Sequence, residues 1–253
     1  MAAPEAPDVV AGVAADHAKT VAYVNTVVAR STQELSAVTS RYQDTPILDF
    51  INKVQTETVT RAMTGTPYAG LPVLSIAAPF SRTAVFPQGD VRIRDVAGLY
   101  IYDNTLEAVT MTGAEVKAYL EYSVKYFQTL PVGATPDPAT IADPAVPDYN
   151  DDALSGVDYG IDISKPVGQR ITTLEIAGVP VAADQQFVVA VNNYRRSGGG
   201  GFPGITKTQI YNQQQEIRQL LIDWAKDKGV IDPADFFVPN WRLVREGQPV
   251  FPG

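Results

Sequence analysis

The chain has 253 residues, a formal net charge of −8 at pH 7, a pI near 4.7 and 45% hydrophobic residues. That length and apolar content suffice for a real core in one large domain or two small ones. The acidic balance argues against non-specific binding to nucleic acid or anionic membranes, and no apolar run approaches the ~20 residues that cross a bilayer. With no cysteine there is no disulfide framework, which leaves the compartment open. The first ten residues, MAAPEAPDVV, lack the charged and apolar regions of a signal peptide and read as a cut end with an added methionine.

Met1 to about Val13 is rich in Pro and Ala, so residues 1–15 are expected to be a linker remnant and 16–253 the domain proper. Asp16–Val28 carries apolar residues at helical and at alternating spacings, and helix and strand both stay open there. Asp44 suits the N-cap of a helix with Ile47, Ile51 and Val54 on one face. Leu71–Ala77 reads as a buried strand, and Pro79, Pro87 and Gly89 bracket a loop that holds Arg82. Leu106–Met111 is the next strand. Thr112 and Glu115 spell a capping box before a helix whose core stripe is Val116, Tyr119, Leu120, Val124 and Phe127.

Residues 130–156 alternate prolines with alanines and with Asp137, Asp143, Asp148, Asp151 and Asp152, which predicts an irregular excursion, a mobile loop or a flap. Its aspartates lack the Asp-x-Asp-x-Asp-Gly spacing of a calcium loop. Arg170–Ile176, a turn at Ala177-Gly178 and Phe187–Val191 give further strands. Thr206 and Gln209 predict the cap of a last long helix, with Ile210, Ile217, Leu220, Leu221 and Trp224 inward and Gly229 ending it. Strands and helices alternate irregularly with hairpin-like connections, so the expected fold class is α+β, a mixed sheet flanked by helices.

The most informative segment is 187–204, FVVAVNNYRRSGGGGFPG. A buried strand ends in two asparagines and delivers an aromatic, two arginines and four glycines into a loop. Glycine lets a ligand approach the main chain closely, and it equally punctuates ordinary surface turns. The pattern argues against a phosphate loop, because Phe202-Pro203 stands where Lys-Ser/Thr would follow. Tyr194 to Pro203 resembles the C-terminal-domain motif of the 5′-nucleotidase family, most closely its 2′,3′-cyclic-nucleotide 2′-phosphodiesterase/3′-nucleotidase branch. Tyr102-Asp103-Asn104-Thr105-Leu106 with Thr112-Gly113-Ala114-Glu115-Val116, and Asp162 to Gly168 with Arg170-Ile171, are similar to other segments of that branch, in the same order.

The resemblance implies a substrate-binding half. Its reaction is run by a separate N-terminal metallophosphatase domain that holds two divalent metal ions through Asp, His and Asn. This chain has one histidine, His17, and lacks the Asp-x-His and Gly-Asn-His-Glu motifs. Two-metal hydrolysis needs several such ligands. No cofactor is therefore expected in this chain, and by itself it is expected to be inactive. The expected partners are a nucleotide or nucleoside ligand and the metallophosphatase domain of the same polypeptide, with an extracytoplasmic parent.

The resemblance assigns the two base-stacking aromatics to Tyr102 and Tyr194. Asn104 suits a base edge, because its amide both donates and accepts, and Asp103-Asn104 equally fits turn chemistry. Arg82 stands where the family carries a phosphate-binding arginine, although Ala78-Pro79-Phe80-Ser81 replaces the glycines that precede it there. Arg41 is a fainter candidate for the upstream phosphate arginine. The main chain of Gly198, Gly199, Gly200 and Gly201 is expected to shape the pocket. Gly200 stands where the 5′-nucleotidase branch carries an acidic ribose contact, which tilts the expected substrate towards 3′-nucleotides and 2′,3′-cyclic nucleotides. The alternative is a stand-alone nucleotide-binding or adhesion module that has lost catalysis.

Overall fold

Two five-stranded sheets organise the chain, as seen in a computed structural model that describes residues 6–251. Helix α1 (Pro7–Val24) leads to β1 (Val27–Ser31) and β2 (Leu35–Ser36), and α2 (Pro46–Met63) to β3 (Val73–Ala77), β4 (Val85–Phe86) and β5 (Gly89–Arg92). Next come α3 (Ile93–Leu99), β6 (Thr105–Thr112) and α4 (Gly113–Ser123). β7 (Ala153–Ser155), β8 (Asp158–Asp162), β9 (Ile171–Ile176), β10 (Val179–Pro180) and β11 (Gln186–Asn192) follow the Pro/Asp-rich stretch. The one-turn helix α5 (Asn193–Arg196), β12 (Tyr211–Glu216), α6 (Ile217–Lys228), β13 (Val230–Ile231), β14 (Trp241–Arg245) and β15 (Gln248–Pro249) complete the order.

The central sheet runs β12-β6-β11-β3-β7, with β11 antiparallel to β6 and parallel to β3. The second runs β10-β9-β8-β14-β15. Phe187 to Val191 of β11 are fully buried, as an unbroken apolar strand in a sheet covered on both faces must be. α2 packs on β3, and the buried Gln55 amide donates to Ser75 Oγ (2.9 Å) and to the Ile76 carbonyl (3.0 Å). The α+β expectation holds. So does the capping box: Thr112 Oγ1 accepts from the Glu115 amide (3.2 Å) while Glu115 Oε2 accepts from the Thr112 amide (2.8 Å). The stripe from Val116 to Phe127 is buried.

Four expectations change. The open choice over Asp16–Val28 resolves into both: α1 ends at Val24 and β1 starts at Val27. α1 also runs across the linker boundary expected at residue 15, since Pro7 starts a helix well and the alanines sustain one. It buries no residue. Residues 1–5 of the expected linker lie outside the described residues. The N-cap of α2 is Thr45, with Pro46 at the first position, because the Asp44 carboxylate instead accepts from the Asn240 amide (2.8 Å).

The last helix starts at Ile217, and no helix begins at the Thr206–Gln209 box. Tyr211–Glu216 instead adds an edge strand to β6, pairing Tyr211 with Ala108 and Asn212 with Glu107. Gly229 ends α6 in the left-handed conformation (φ 68°), as expected. The 130–156 excursion is irregular, and its far end is anchored inward: Asp151 and Asp152 are buried.

Candidate functional site

Because β6 and β11 are antiparallel with Leu106 opposite Asn192, the chain entering β6 and the chain leaving β11 emerge at the same end of the central sheet. That register brings the Tyr102 loop beside the Tyr194 turn. Asn192 Oδ1 accepts from the Arg195 amide (2.7 Å) and caps α5, while Asn193 Oδ1 accepts from the Thr105 amide (3.1 Å), tying one loop to the other. Asn104 sits between the two fastenings. Its carbonyl accepts from the Ile217 amide (2.9 Å), and its side-chain amide faces the Tyr100 hydroxyl at 3.4 Å. Burial pushes the Tyr100 hydroxyl up in pKa, against hydrogen bonds from Asn104 and Asn192. Arg218 completes the fastening, donating to the Tyr100 carbonyl (2.9 Å) and pairing with Asp103 (2.7 Å).

Tyr102 and Tyr194 are 39% and 45% exposed, so each offers ring surface at this end. Each is also backed. The Phe80 ring meets Tyr102 edge-on at 5.5 Å and Tyr100 edge-on at 4.9 Å. The Tyr194 ring lies directly over Gly199, where an added Cβ would come within 2.5 Å of ring carbons. Gly199 is therefore glycine because an aromatic sits on it.

The remaining glycines have their own causes. Gly198, Gly200 and Gly201 have φ of 102°, 76° and 71°, a region costly for residues with a Cβ. Beneath them Arg195 is 1% exposed. Its guanidinium pairs with Asp152 (2.7 and 3.0 Å), donates to the carbonyls of Gly199 (2.8 Å) and Tyr149 (2.6 Å) and to Asn150 Oδ1 (3.1 Å), and lies 4.0 Å over the Phe202 ring. Tyr119 donates to the same Asp152, and burial together with that charge pushes its hydroxyl well up in pKa. Tyr122 Oη donates to the Gly200 carbonyl at 2.8 Å. The glycine loop is thus bolted from below onto residues 149–152.

Arg82 lies in the loop after β3, where it forms a bidentate pair with Asp148. Asp148 also accepts from the Tyr126 hydroxyl (2.8 Å). Arg41 reaches that hydroxyl and adds attraction towards Asp148 and Asp151. Arg82 therefore binds one carboxylate of the Pro/Asp-rich excursion, and Arg41 acts on that carboxylate through its charge. Nothing in the sequence pattern marks Phe80, Asp148, Asp152 or Arg195 as parts of this end. Tyr-Arg-Arg gives only the hint that one of two neighbouring arginines turns inward. Arg196 takes the other course and pairs with the buried Glu107.

His17 sits on exposed α1, and among the described residues no three His, Asp or Glu side chains gather to hold an ion.

Mixed sheets flanked by helices define an α+β domain. The model of the 5′-nucleotidase C-terminal domain matches residues 24–207, and the chain belongs to that family. It is 34% identical over 254 residues to the trifunctional nucleotide phosphoesterase protein YfkN of Bacillus subtilis, aligning 90% of this chain but 17% of that protein. It is also 34% identical over 256 residues to the 2′,3′-cyclic-nucleotide 2′-phosphodiesterase/3′-nucleotidase of Salmonella typhimurium, covering 90% of this chain and 39% of that one. The fold is shared with the 5′-nucleotidase precursor of Thermus thermophilus (TM-score 0.73, 19% identity, 96% of this chain and 44% of that one). The chain thus spans less than half the length of each of these relatives.

Proposed function

We propose that this chain is the substrate-binding domain of a metal-dependent nucleotide phosphohydrolase, of the nucleotidase and 2′,3′-cyclic-nucleotide phosphodiesterase kind, with Tyr102 and Tyr194 holding the base. One observation carries the reading. Two part-exposed tyrosines leave neighbouring loops at one end of the central sheet, each held by rigid backing, Phe80 for one and the glycine loop for the other. Stacking of this kind tolerates any base, because every base presents a π-face. Asn104 stands beside them to read a base edge, the Gly198–Gly201 main chain shapes one wall, and Arg82 is the phosphate contact. The chemistry itself, run with a pair of divalent ions, is assigned to a metallophosphatase domain outside this chain, a reading that the chain's 17% and 39% shares of its two longer relatives support.

Titration of the chain with adenosine, 2′,3′-cyclic AMP and AMP tests the proposal. Tyr102→Ala and Tyr194→Ala should each weaken adenosine binding by about 1–3 kcal/mol while the thermal midpoint stays near that of the parent. Gly200, which carries no carboxylate to hold a ribose diol or to repel a bridging phosphate, should leave 2′,3′-cyclic AMP bound more tightly than AMP. Adenosine binding that ignores both substitutions ends the base-sandwich reading, and a clear preference for AMP ends the cyclic-nucleotide one.

A further inference from the structure

Arg82 and Asp148 close a bridge across the proposed cleft. Arg82 is two residues from Phe80, whose ring backs Tyr102. Asp148 precedes Tyr149, whose carbonyl is held by Arg195, the neighbour of Tyr194. The pair therefore joins one tyrosine's support to the other's. Around it, one donor is left over although the carboxylate still has an acceptor site to spare. Asp148 receives the Arg82 Nε and Nη2 hydrogens and the Tyr126 hydroxyl, while the buried Nε of Arg41 has no hydrogen-bond partner. A phosphoryl group brings three acceptor oxygens in the fork geometry that arginine matches. The Arg82 side chain is 50% exposed and that of Asp148 29%, so both stay open to exchange with solvent ligands.

We propose that Arg82, Tyr126 and Arg41 form an anion subsite whose resident occupant is the chain's own Asp148 carboxylate, and that a ligand phosphate enters by displacing it. The inference rests on the reading of the two tyrosines as the base site. Its consequence is a raised threshold for every phosphate ligand. A ligand that must evict an internal competitor binds more weakly by the fraction of time the subsite is free. Free phosphate has only the arginines to gain, whereas a stacked nucleotide also gains the rings. Asp148 thus weakens the bare anion and the nucleotide by the same factor, and the nucleotide keeps the lead that its stacking supplies. The pairing acts on Asp148 as such a competitor would: burial pushes its carboxyl up, but Arg82, Tyr126 and Arg41 together hold it below its ordinary value.

Isothermal titration of the full chain and of Asp148→Asn with inorganic phosphate, 3′-AMP and adenosine tests this. Asparagine keeps an acceptor for Tyr126 but no charge for Arg82. Phosphate and 3′-AMP should bind roughly tenfold more tightly to Asp148→Asn, with adenosine unchanged. Asp137→Asn, an exposed carboxylate of the same excursion, should leave all three affinities alone, which separates displacement from mere loss of negative charge. Unchanged or weaker phosphate binding in Asp148→Asn overturns the proposal. Should that variant not fold, carbon-detected titration of the parent decides: saturating phosphate must move the Asp148 carboxyl back up towards an ordinary value, and no movement overturns it. Because the phosphate arm involves no base, it reports on Asp148 even where the tyrosine substitutions leave adenosine binding intact.

Discussion

Arg195 and Asp152 form a buried ion pair beneath the glycine loop, joined by an Nη2–Oδ1 hydrogen bond (3.0 Å), with side chains that are each 2% exposed. Arg195 also fixes the carbonyls of Gly199 and Tyr149, so the pair sets where the Tyr194 wall stands relative to the excursion. A charge this deep persists only when geometry and added hydrogen bonds offset its lost hydration, and here both are present.

Arg195→Ala should destabilise the chain by about 3–5 kcal/mol, because it strands the Asp152 charge away from water. Urea unfolding reads this directly. Asp152 would keep only the Tyr119 hydroxyl. The double variant Arg195→Met with Asp152→Leu should recover part of the loss, since removing both charges costs less than orphaning one. A loss under about 1 kcal/mol for Arg195→Ala would mean that the pair is solvated and idle.

Gly200→Ala should cost about 1–2 kcal/mol through its backbone alone, since φ is 76°. An added Cβ would also sit 2.4 Å from Arg195 Nη1 and 2.6 Å from Asn150 Oδ1. An acidic residue at this place therefore needs a different loop path, which ties the absence of a carboxylate here to the Arg195 anchor. Gly12→Ala supplies the opposite sign: Gly12 lies inside α1 with nothing within 4 Å of an added Cβ, so alanine should stabilise slightly. Thermal melts of the two variants check both directions, and a neutral Gly200→Ala would show that the loop is free to re-form.

Stability should fall as pH rises through neutrality. Burial, with the charge of nearby Asp44 adding, pushes Asp49 from 3.8 up to about 8, and burial raises Asp44 to about 6. Between the unfolded and folded values the native state keeps protons that the unfolded chain has released. The stabilisation is thus present at acidic pH and is lost on the way to about pH 8. Melting of the parent should be higher at about pH 5 than at about pH 8, with a limit of about 1.4 kcal/mol per pH unit for each fully retained proton. Asp49→Asn should flatten that slope and raise stability at the alkaline end. A slope that Asp49→Asn leaves untouched would place the titration elsewhere.

Local pattern made much of this protein legible. The β6 and β11 strands, the Thr112–Glu115 box and the Gly229 stop follow from rules that act within a few residues. The Ala177-Gly178 turn is another case: φ values of 49° and 75° make the left-handed pair that joins β9 to β10. The family, too, could be read from separated motifs in order. What the sequence could not fix is where a polar segment goes once a partner is in reach. Tyr211–Glu216 reads YNQQQE and lies beyond a good capping box, yet it becomes a strand because β6 offers an open edge. Edge pairing satisfies backbone donors and acceptors whatever the side chains are.

The same holds for charge. The composition announces an acidic chain and a Tyr-Arg-Arg step. Only the packing sends Arg195 inward to Asp152, Arg196 to Glu107 and Arg82 to Asp148. Each partner lies far away in the sequence, and neither residue carries a local signal of the other. Residue type determined which groups were able to pair. The fold decided which of them did, because an ion pair gains its energy from proximity and lost solvent, and both exist only after the sheets have closed.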